Sequence, residues 1–122
     1  MIHIDLRSDT VTHPTNEMKK AMYDAELGDD VYGDDPTTNA LQEEVSEILG
    51  KEDSVLVSSG TQGNLVSLLA WADRGDEVLV GDQSHIFMAE AGGPSVLGSL
   101  VLYPIPTDED GYFSKQSILD SI

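Results

Sequence analysis

The stretch VLVSSGTQGNLVSLLAWA, residues 55–72, leads from a short apolar run into an apolar helical pattern through small and hydroxyl residues. Residues 77–81 and 100–103 form two more short apolar runs, and helical patterns lie between and after them. Continuous apolar runs indicate strands that are buried on both faces, and strands alternating with helices indicate a parallel sheet. The sequence therefore predicts an α/β fold with strands at 54–58, 77–81 and 100–103.

Local end signals place the helices around these strands. Pro14 predicts the start of a helix over 14–25. Asp35 followed by Pro36 is typical of a helix N-cap and first turn, and the pattern that follows ends at Gly50. Further helices are predicted over 61–72, around 85–91 and from 114 onwards, whereas residues 1–12 are predicted to be extended and GDDVYGDD to be a loop.

The same pattern predicts how the chain is divided. Residues 1–50 are interpreted as an N-terminal arm with helices, and residues 51–122 as the first βαβ units of a larger domain. Three short strands make a thin sheet, and the last predicted helix has barely begun at Ile122. We therefore expect this domain to continue beyond Ile122.

The composition excludes several classes of protein. With 122 residues, of which 39% are hydrophobic, the chain can bury a core, and without cysteine it has no disulfide framework and no thiolate zinc site. No apolar run reaches about 20 residues, and the N-terminus lacks the basic and then apolar pattern of a signal peptide. These features predict a cytoplasmic protein with no membrane partner.

The charge is strongly negative. Asp and Glu number 23 against 6 Lys and Arg, which gives a formal net charge of −17. Such a surface repels phosphate backbones and anionic lipid, so we expect no nucleic-acid partner. A solvated surface is the interpretation we favour, and adaptation to high salt is the alternative.

The hydroxyl-rich stretch at residues 58–63 is a candidate anion site. Ligands of α/β sheets gather beyond the carboxyl ends of the strands, where the first N–H groups of a helix are free. Ser59 and Thr61 add hydroxyl groups, and Gly60 allows close approach of the backbone. The spacing matches neither the P-loop nor the dinucleotide fingerprint. Taken alone, the stretch is equally compatible with an anion site and with a tight strand–helix turn.

Three other residues are candidates for a site. His85 follows the strand at 77–81 and so lies at the same edge of the sheet, where histidine can stack on a ligand, move a proton or bond to the backbone. Ser8 belongs to a polar string that is explained most simply as a pinned extended arm. Tyr32 is an aromatic residue in an acidic loop, DDVYGDDPT, which lacks the spacing of a calcium-binding EF-hand, so no metal site is predicted.

Five motifs in fixed order resemble those of one enzyme family. They are DLRSDTVTHPT, GDDVYGDDPT, SSGTQGN, RGDEV and QSHIF…EAGG, and they extend from residue 5 to about residue 113. In order and spacing they resemble the low-specificity L-threonine aldolases, which are β-eliminating lyases with the aspartate-aminotransferase-like fold (PLP fold type I). The resemblance implies that this chain is part of the large domain of that fold, a mainly parallel sheet with flanking helices.

The resemblance also implies a function. The cofactor would be pyridoxal 5′-phosphate, and the substrate a small β-hydroxy-amino acid, L-threonine or L-allo-threonine, cleaved to glycine and acetaldehyde by retro-aldol chemistry. Ser59, Gly60 and Thr61 would bind the cofactor phosphate. His85 would stack on the cofactor ring and assist catalysis. Ser8 and Tyr32 would line the substrate side, and the complete enzyme would be a homodimer or homotetramer.

The lysine that the family uses to bind its cofactor covalently has no match in this chain. The four lysines present, none of which lies in such a motif, are Lys19, Lys20, Lys51 and Lys115. We therefore expect the 122 residues by themselves to lack aldolase activity. Two alternatives stay open: a related β-eliminating lyase, and a truncated non-catalytic protein that binds an anion or a partner.

Overall fold

The computed structural model describes residues 4–122, which form two compact units, one up to Leu56 and the other Val57–Ile122. Ile2, part of the predicted extended start, lies outside the described residues. Among residues 4–122, no helix has both the length and the apolar character needed to cross a membrane. The helices of the first unit are α1 Asn16–Asp24 and α2 Pro36–Leu49, and the second unit contains α3 Gly60–Trp71, β1 Glu77–Gly81, α4 His85–Met88, α5 Gly93–Gly98, β2 Val101–Ile105 and α6 Lys115–Leu119.

Side-chain caps fix the helices of the first unit. Thr15 Oγ1 accepts the Met18 N–H at 3.2 Å, so α1 begins after Thr15 and not at Pro14 as predicted. The prediction for α2 is confirmed. Asp35 caps it by accepting the Thr38 N–H at 2.8 Å, and it ends at Gly50, whose φ of 60° lies in the left-handed region that glycine adopts without strain.

Two short 3₁₀ turns lie outside these helices. The extended segment predicted over residues 1–12 is interrupted by the turn Asp9–Val11, which Ser8 caps through its side chain. A second turn, Asp30–Tyr32, lies in the predicted acidic loop and is capped by Asp29. Both turns are short because their polar side chains satisfy the first N–H groups locally and no apolar face continues the helix.

The second unit is built on a parallel pair of strands. The strand predicted at 77–81 is confirmed as β1, and the third predicted strand is β2, shifted toward the C-terminus from 100–103 to Val101–Ile105. The pair is in register from Glu77↔Val101 to Gly81↔Ile105. Its apolar core contains Val80, Leu100 and Ile105, each at most 7% exposed. The described residues thus form an α/β structure with a two-stranded parallel sheet.

The prediction of a strand at 54–58 that pairs with the sheet is wrong. These residues are extended, but no other strand among residues 4–122 pairs with them. Glutamine side chains take the place of a neighbouring strand, because the Leu56 N–H donates to Gln42 Oε1 and the Ser58 N–H donates to Gln62 Oε1, both at 2.8 Å. An apolar run predicts burial, but a ladder also requires a second backbone edge.

Two short helices, α4 and α5, form the connection from β1 to β2. The helix predicted around 85–91 ends at Met88, and α5, which the sequence pattern did not predict, follows it. A Cβ on Gly98 would lie 3.0 Å from Leu69 Cδ2 and 3.1 Å from Leu100 Cγ, so glycine permits the close approach of α5 to α3. The predicted helix after Ser114 is confirmed as α6, with Ser114 as its cap.

Ser99 ends α5 in the left-handed region, with φ of 56°. A residue with a Cβ is disfavoured there, so we expect Ser99→Gly to raise the free energy of unfolding by about 0.5–1 kcal/mol. The matched control is Ser95→Gly, the same change inside α5, which we expect to lower it by about 0.5–1 kcal/mol. Urea unfolding measures both, and a loss of stability in Ser99→Gly would contradict the prediction.

Candidate active site

The N-terminus of α3 is an open donor site. Ser59 is its N-cap, with its Oγ accepting the Gln62 N–H at 3.1 Å and its carbonyl accepting the Gly63 N–H at 3.0 Å. The N–H groups of Gly60 and Thr61 have no acceptor among the described residues, as expected for the first turn of a helix. The first turn contains no acidic residue. These donors and the helix dipole are suited to an anion.

This terminus is exposed among the residues that the structure describes. Ser59, Gly60 and Thr61 are all exposed, and a Cβ built on Gly60 would meet no atom within 4 Å. The approach to the helix is fixed by Gln62, whose Oε1 accepts both the N–H and the hydroxyl of Ser58, at 2.8 and 2.6 Å. The predicted anion site therefore consists of exposed donors on a chain that is held in place by its neighbours.

His85 is attached to a buried carboxylate. Its Nδ1 lies 2.9 Å from Glu90 Oε1, and the Asn64 Nδ2 donates to the same oxygen at 2.7 Å. The side chain of Glu90 is 1% exposed, whereas that of His85 is 68% exposed. Asn64 lies in the second turn of α3, so this cluster connects the start and the end of the α4 segment to the helix that begins with the donor site.

The hydrogen bonds keep Glu90 ionised. Burial by itself raises the pKa of this carboxyl, but the hydrogen bonds from His85 and Asn64 and the charge of His85 outweigh burial, so that the pKa lies below its ordinary value of 4.5. A buried carboxylate is tolerated where its oxygens receive hydrogen bonds. Glu90 is therefore a charged acceptor at neutral pH and a fixed anchor for the imidazole.

The backbone turns sharply after Glu90. Ala91 and Gly92 follow in the left-handed region, with φ of 53° and 72°. A non-glycine residue in this region is strained, and such strain is found at sites where the chain must hold one side chain in place. The turn leads directly into α5, which packs against α3. The position of Glu90 is thus set by both its hydrogen bonds and its backbone.

The two remaining predicted residues belong to the first unit. Ser8 is exposed, and its Oγ accepts the Thr10 N–H at 3.3 Å and lies 2.9 Å from Thr10 Oγ1. Tyr32 is 80% exposed at the end of the turn Asp30–Tyr32. The structure therefore connects His85, through Glu90 and Asn64, to the helix that begins with Ser59, Gly60 and Thr61. Ser8 and Tyr32 belong to the first unit.

Sequence reasoning missed two members of the cluster, Asn64 and Glu90. Both lie within motifs that were recognised, SSGTQGN and EAGG, but a single amide and a single carboxylate 26 residues apart carry no spacing signal. A glutamate between a short helix and two glycines would be interpreted as solvated. Its burial depends on the packing of α5 against α3, which the sequence pattern did not predict.

Comparisons with known proteins show the family to which this sequence is similar. The family model described as "Beta-eliminating lyase" matches residues 5–122. The chain is 54% identical over 108 residues to the low specificity L-threonine aldolase of Escherichia coli K12. These residues are 88% of this chain and 32% of that protein. It is 53% identical over 109 residues to the probable low-specificity L-threonine aldolase 2 of Arabidopsis thaliana, covering 88% and 31%.

A third relative matches over almost the whole chain. Low-specificity L-threonine aldolase 1 of Arabidopsis thaliana is 46% identical over 119 residues, which are 97% of this chain and 33% of that protein. The chain thus spans about a third of the length of the curated relatives it matches. It belongs to the beta-eliminating lyase family. The three relatives described here are named low-specificity L-threonine aldolases, and the match to the Escherichia coli protein covers its N-terminal third.

The lowered pKa of Glu90 predicts how acid affects stability. Because the folded-state pKa lies below 4.5, ionisation of Glu90 favours the folded state above the unfolded-state pKa. This contribution disappears as the pH falls through the folded-state pKa. We expect the free energy of unfolding, measured with urea at about pH 6 and about pH 3, to fall less in Glu90→Gln than in the wild type.

The matched control for this prediction is Glu109→Gln, which neutralises an exposed glutamate in the same unit. We expect Glu109→Gln to show the pH dependence of the wild type. An equal loss of stability on acidification in the wild type and in Glu90→Gln would contradict the prediction.

Proposed function

We propose that this chain is the N-terminal part of a pyridoxal 5′-phosphate-dependent aldolase that cleaves L-threonine and L-allo-threonine to glycine and acetaldehyde. The observation that carries the proposal is the connection of an exposed histidine, through a buried carboxylate, to the helix whose N-terminus offers free donors. Membership of the beta-eliminating lyase family and the names of the relatives support it. The complete fold is proposed to be PLP fold type I.

The donor set fits the phosphate of the proposed cofactor. Ser59, Gly60 and Thr61 offer backbone N–H groups and hydroxyls in an exposed position, without an acidic side chain in the first turn. A phosphate group accepts such donors and is favoured by the helix dipole. When bound, the cofactor supplies an electron sink for the carbanion that is left when the Cα–Cβ bond of the substrate breaks.

His85 is proposed to hold the cofactor ring and to accept the proton of the substrate β-hydroxyl. Its exposed imidazole is accessible to a ligand, and a histidine can accept a proton near neutral pH. Loss of the hydroxyl proton accompanies cleavage of the Cα–Cβ bond and release of acetaldehyde, and one proton added to Cα completes glycine. Ser8 and Tyr32 are proposed to contact the substrate. Ser8 would help to bind the carboxylate of the substrate.

The complete enzyme is proposed to be a cytoplasmic homodimer or homotetramer without nucleic-acid or membrane partners. Large apolar side chains on the surface of the second unit support association, among them Trp71 at 93% and Leu97 at 68% exposure. Exposed apolar patches of this kind are found where further protein surface packs. The strongly negative charge argues against anionic partners.

Substitution of the capping serine tests the phosphate site. We expect Ser59→Ala to weaken binding of pyridoxal 5′-phosphate by about tenfold, because one hydroxyl is lost and the first turn is less well fixed. Fluorescence or absorbance titration of the protein purified from its own cells, after removal of cofactor, measures the Kd. The matched control is Ser114→Ala, which removes the cap of α6 and is expected to leave the Kd unchanged. Equal affinity in Ser59→Ala and the wild type would contradict the phosphate assignment.

Substitution of His85 tests the catalytic role. We expect His85→Gln to lower the rate of acetaldehyde release from L-threonine by about 10²–10⁴-fold, the contribution typical of a positioned proton acceptor. A coupled assay that reduces acetaldehyde with NADH measures the rate. His13→Gln, at an exposed histidine of the first unit, is the control and should retain the wild-type rate. A wild-type rate in His85→Gln would overturn the assignment, and no acetaldehyde from the wild-type holoenzyme would overturn the proposed function.

A further inference from the structure

We propose that Glu90 and Asn64 are positioning residues that fix the tautomer and the place of the His85 ring: Glu90 holds the hydrogen on Nδ1, and Asn64 holds Glu90 against the helix of the donor site. The catalytic use of this arrangement rests on the proposed function, whereas the tautomer itself is a property of the protein without cofactor. The juxtaposition that carries the proposal is two donors, from separate segments, on one buried carboxylate oxygen.

The geometry determines which ring nitrogen carries the hydrogen. An ionised carboxylate only accepts hydrogen bonds, so Nδ1 of His85, at 2.9 Å from Glu90 Oε1, must be the donor. In the neutral ring, Nε2 then has the lone pair and is the nitrogen able to accept a proton. This is the opposite of the tautomer that predominates in an exposed, unpaired imidazole, which carries its hydrogen on Nε2. The contact with Glu90 therefore prepares Nε2 as a base.

Asn64 is a donor to Glu90 that does not titrate. Its amide donates to Glu90 Oε1 at 2.7 Å, and an amide N–H₂ is a donor at every accessible pH. Within the described residues, the hydrogen-bond donors to the Glu90 side chain are Asn64 and His85. A carboxylate that is 1% exposed requires such donors to remain charged. Asn64 is thus a second donor to the charged carboxylate, and its hydrogen bond does not depend on the protonation state of His85.

The cluster also places Asn64, which anchors Glu90, at a fixed distance from the N-terminus of α3. Asn64 lies four residues after Gly60, which is about 6 Å along the α3 axis. The anchor of the His85 ring is therefore on the same rigid helix as the free N–H groups of Gly60 and Thr61. The left-handed residues Ala91 and Gly92 hold the loop at the other end. The imidazole and the free N–H groups are thus both positioned by α3.

Nitrogen NMR of the ring tests the proposal without activity. The protein purified from its own cells, labelled with ¹⁵N-histidine, freed of cofactor and held at a pH where the ring is neutral, gives separate signals for the two ring nitrogens, assigned with His85→Gln. We expect His85 to be mainly the Nδ1–H tautomer in the wild type. In Glu90→Gln, whose amide is a weaker acceptor and can also present its NH₂ group, we expect the population to shift toward Nε2–H.

Two further variants keep the test decisive. Asn64→Ala removes an exposed residue's side chain and is expected to shift the tautomer part of the way, even where Glu90→Gln is poorly folded. Glu109→Gln, the same neutralisation at an exposed glutamate, should leave the tautomer unchanged. A wild-type ring with its hydrogen mainly on Nε2, or unaltered tautomers in both Glu90→Gln and Asn64→Ala, would overturn the proposal.

Kinetics and cofactor binding separate this inference from the proposed function. We expect Glu90→Gln to lower kcat for L-threonine by about 10- to 100-fold, typical of residues that orient a reacting group, with KM nearly unchanged. A protein with the Nδ1–H tautomer that neither binds pyridoxal 5′-phosphate nor releases acetaldehyde would contradict the proposed function only. An active holoenzyme whose His85 is mainly Nε2–H would contradict the positioning role only.

Discussion

The parallel pairing of β1 with β2 is the constraint on which the second unit depends. The register from Glu77↔Val101 to Gly81↔Ile105 places both carboxyl ends at one edge of the sheet. There Asp82 Oδ1 accepts the hydroxyl and the N–H of Thr107, at 2.7 and 3.0 Å, and these bonds lower the pKa of the Asp82 carboxyl. The chain that leads into α4, whose first residue is His85, therefore leaves the sheet from a fixed point.

The features that the sequence predicted correctly depend on short-range chemistry. Pro36 after a capping Asp35, the left-handed Gly50 and the capping Ser114 all act within one helical turn, so they can be recognised without knowing what packs nearby. The strand β1 was predicted because three successive apolar residues between turn signals leave few alternatives. Ser59 caps α3 through the same local chemistry, although the sequence predicted this helix to begin at residue 61 and it begins at Gly60.

The features that the sequence could not predict depend on contacts between distant segments. A strand at 54–58 required a partner edge, and in the structure Gln42 and Gln62 satisfy two of its N–H groups instead. Glu90 and Asn64 are joined only because α5 packs against α3. The resemblance to a known family indicated the motifs that contain both residues, but not that they touch, since a shared motif does not describe a contact.

An acidic chain that binds an anion must do so through local dipoles. The net charge of −17 repels a phosphate at long range, but salt screens exposed charges beyond about 8–10 Å. Within that distance the N-terminus of α3 has free N–H groups and no acidic side chain in its first turn. The nearby negative charge of Glu90 is buried and already bonded to Asn64 and His85. Glu90 can thus keep its charge near the proposed anion site, because Asn64 and His85 both donate to its buried oxygen.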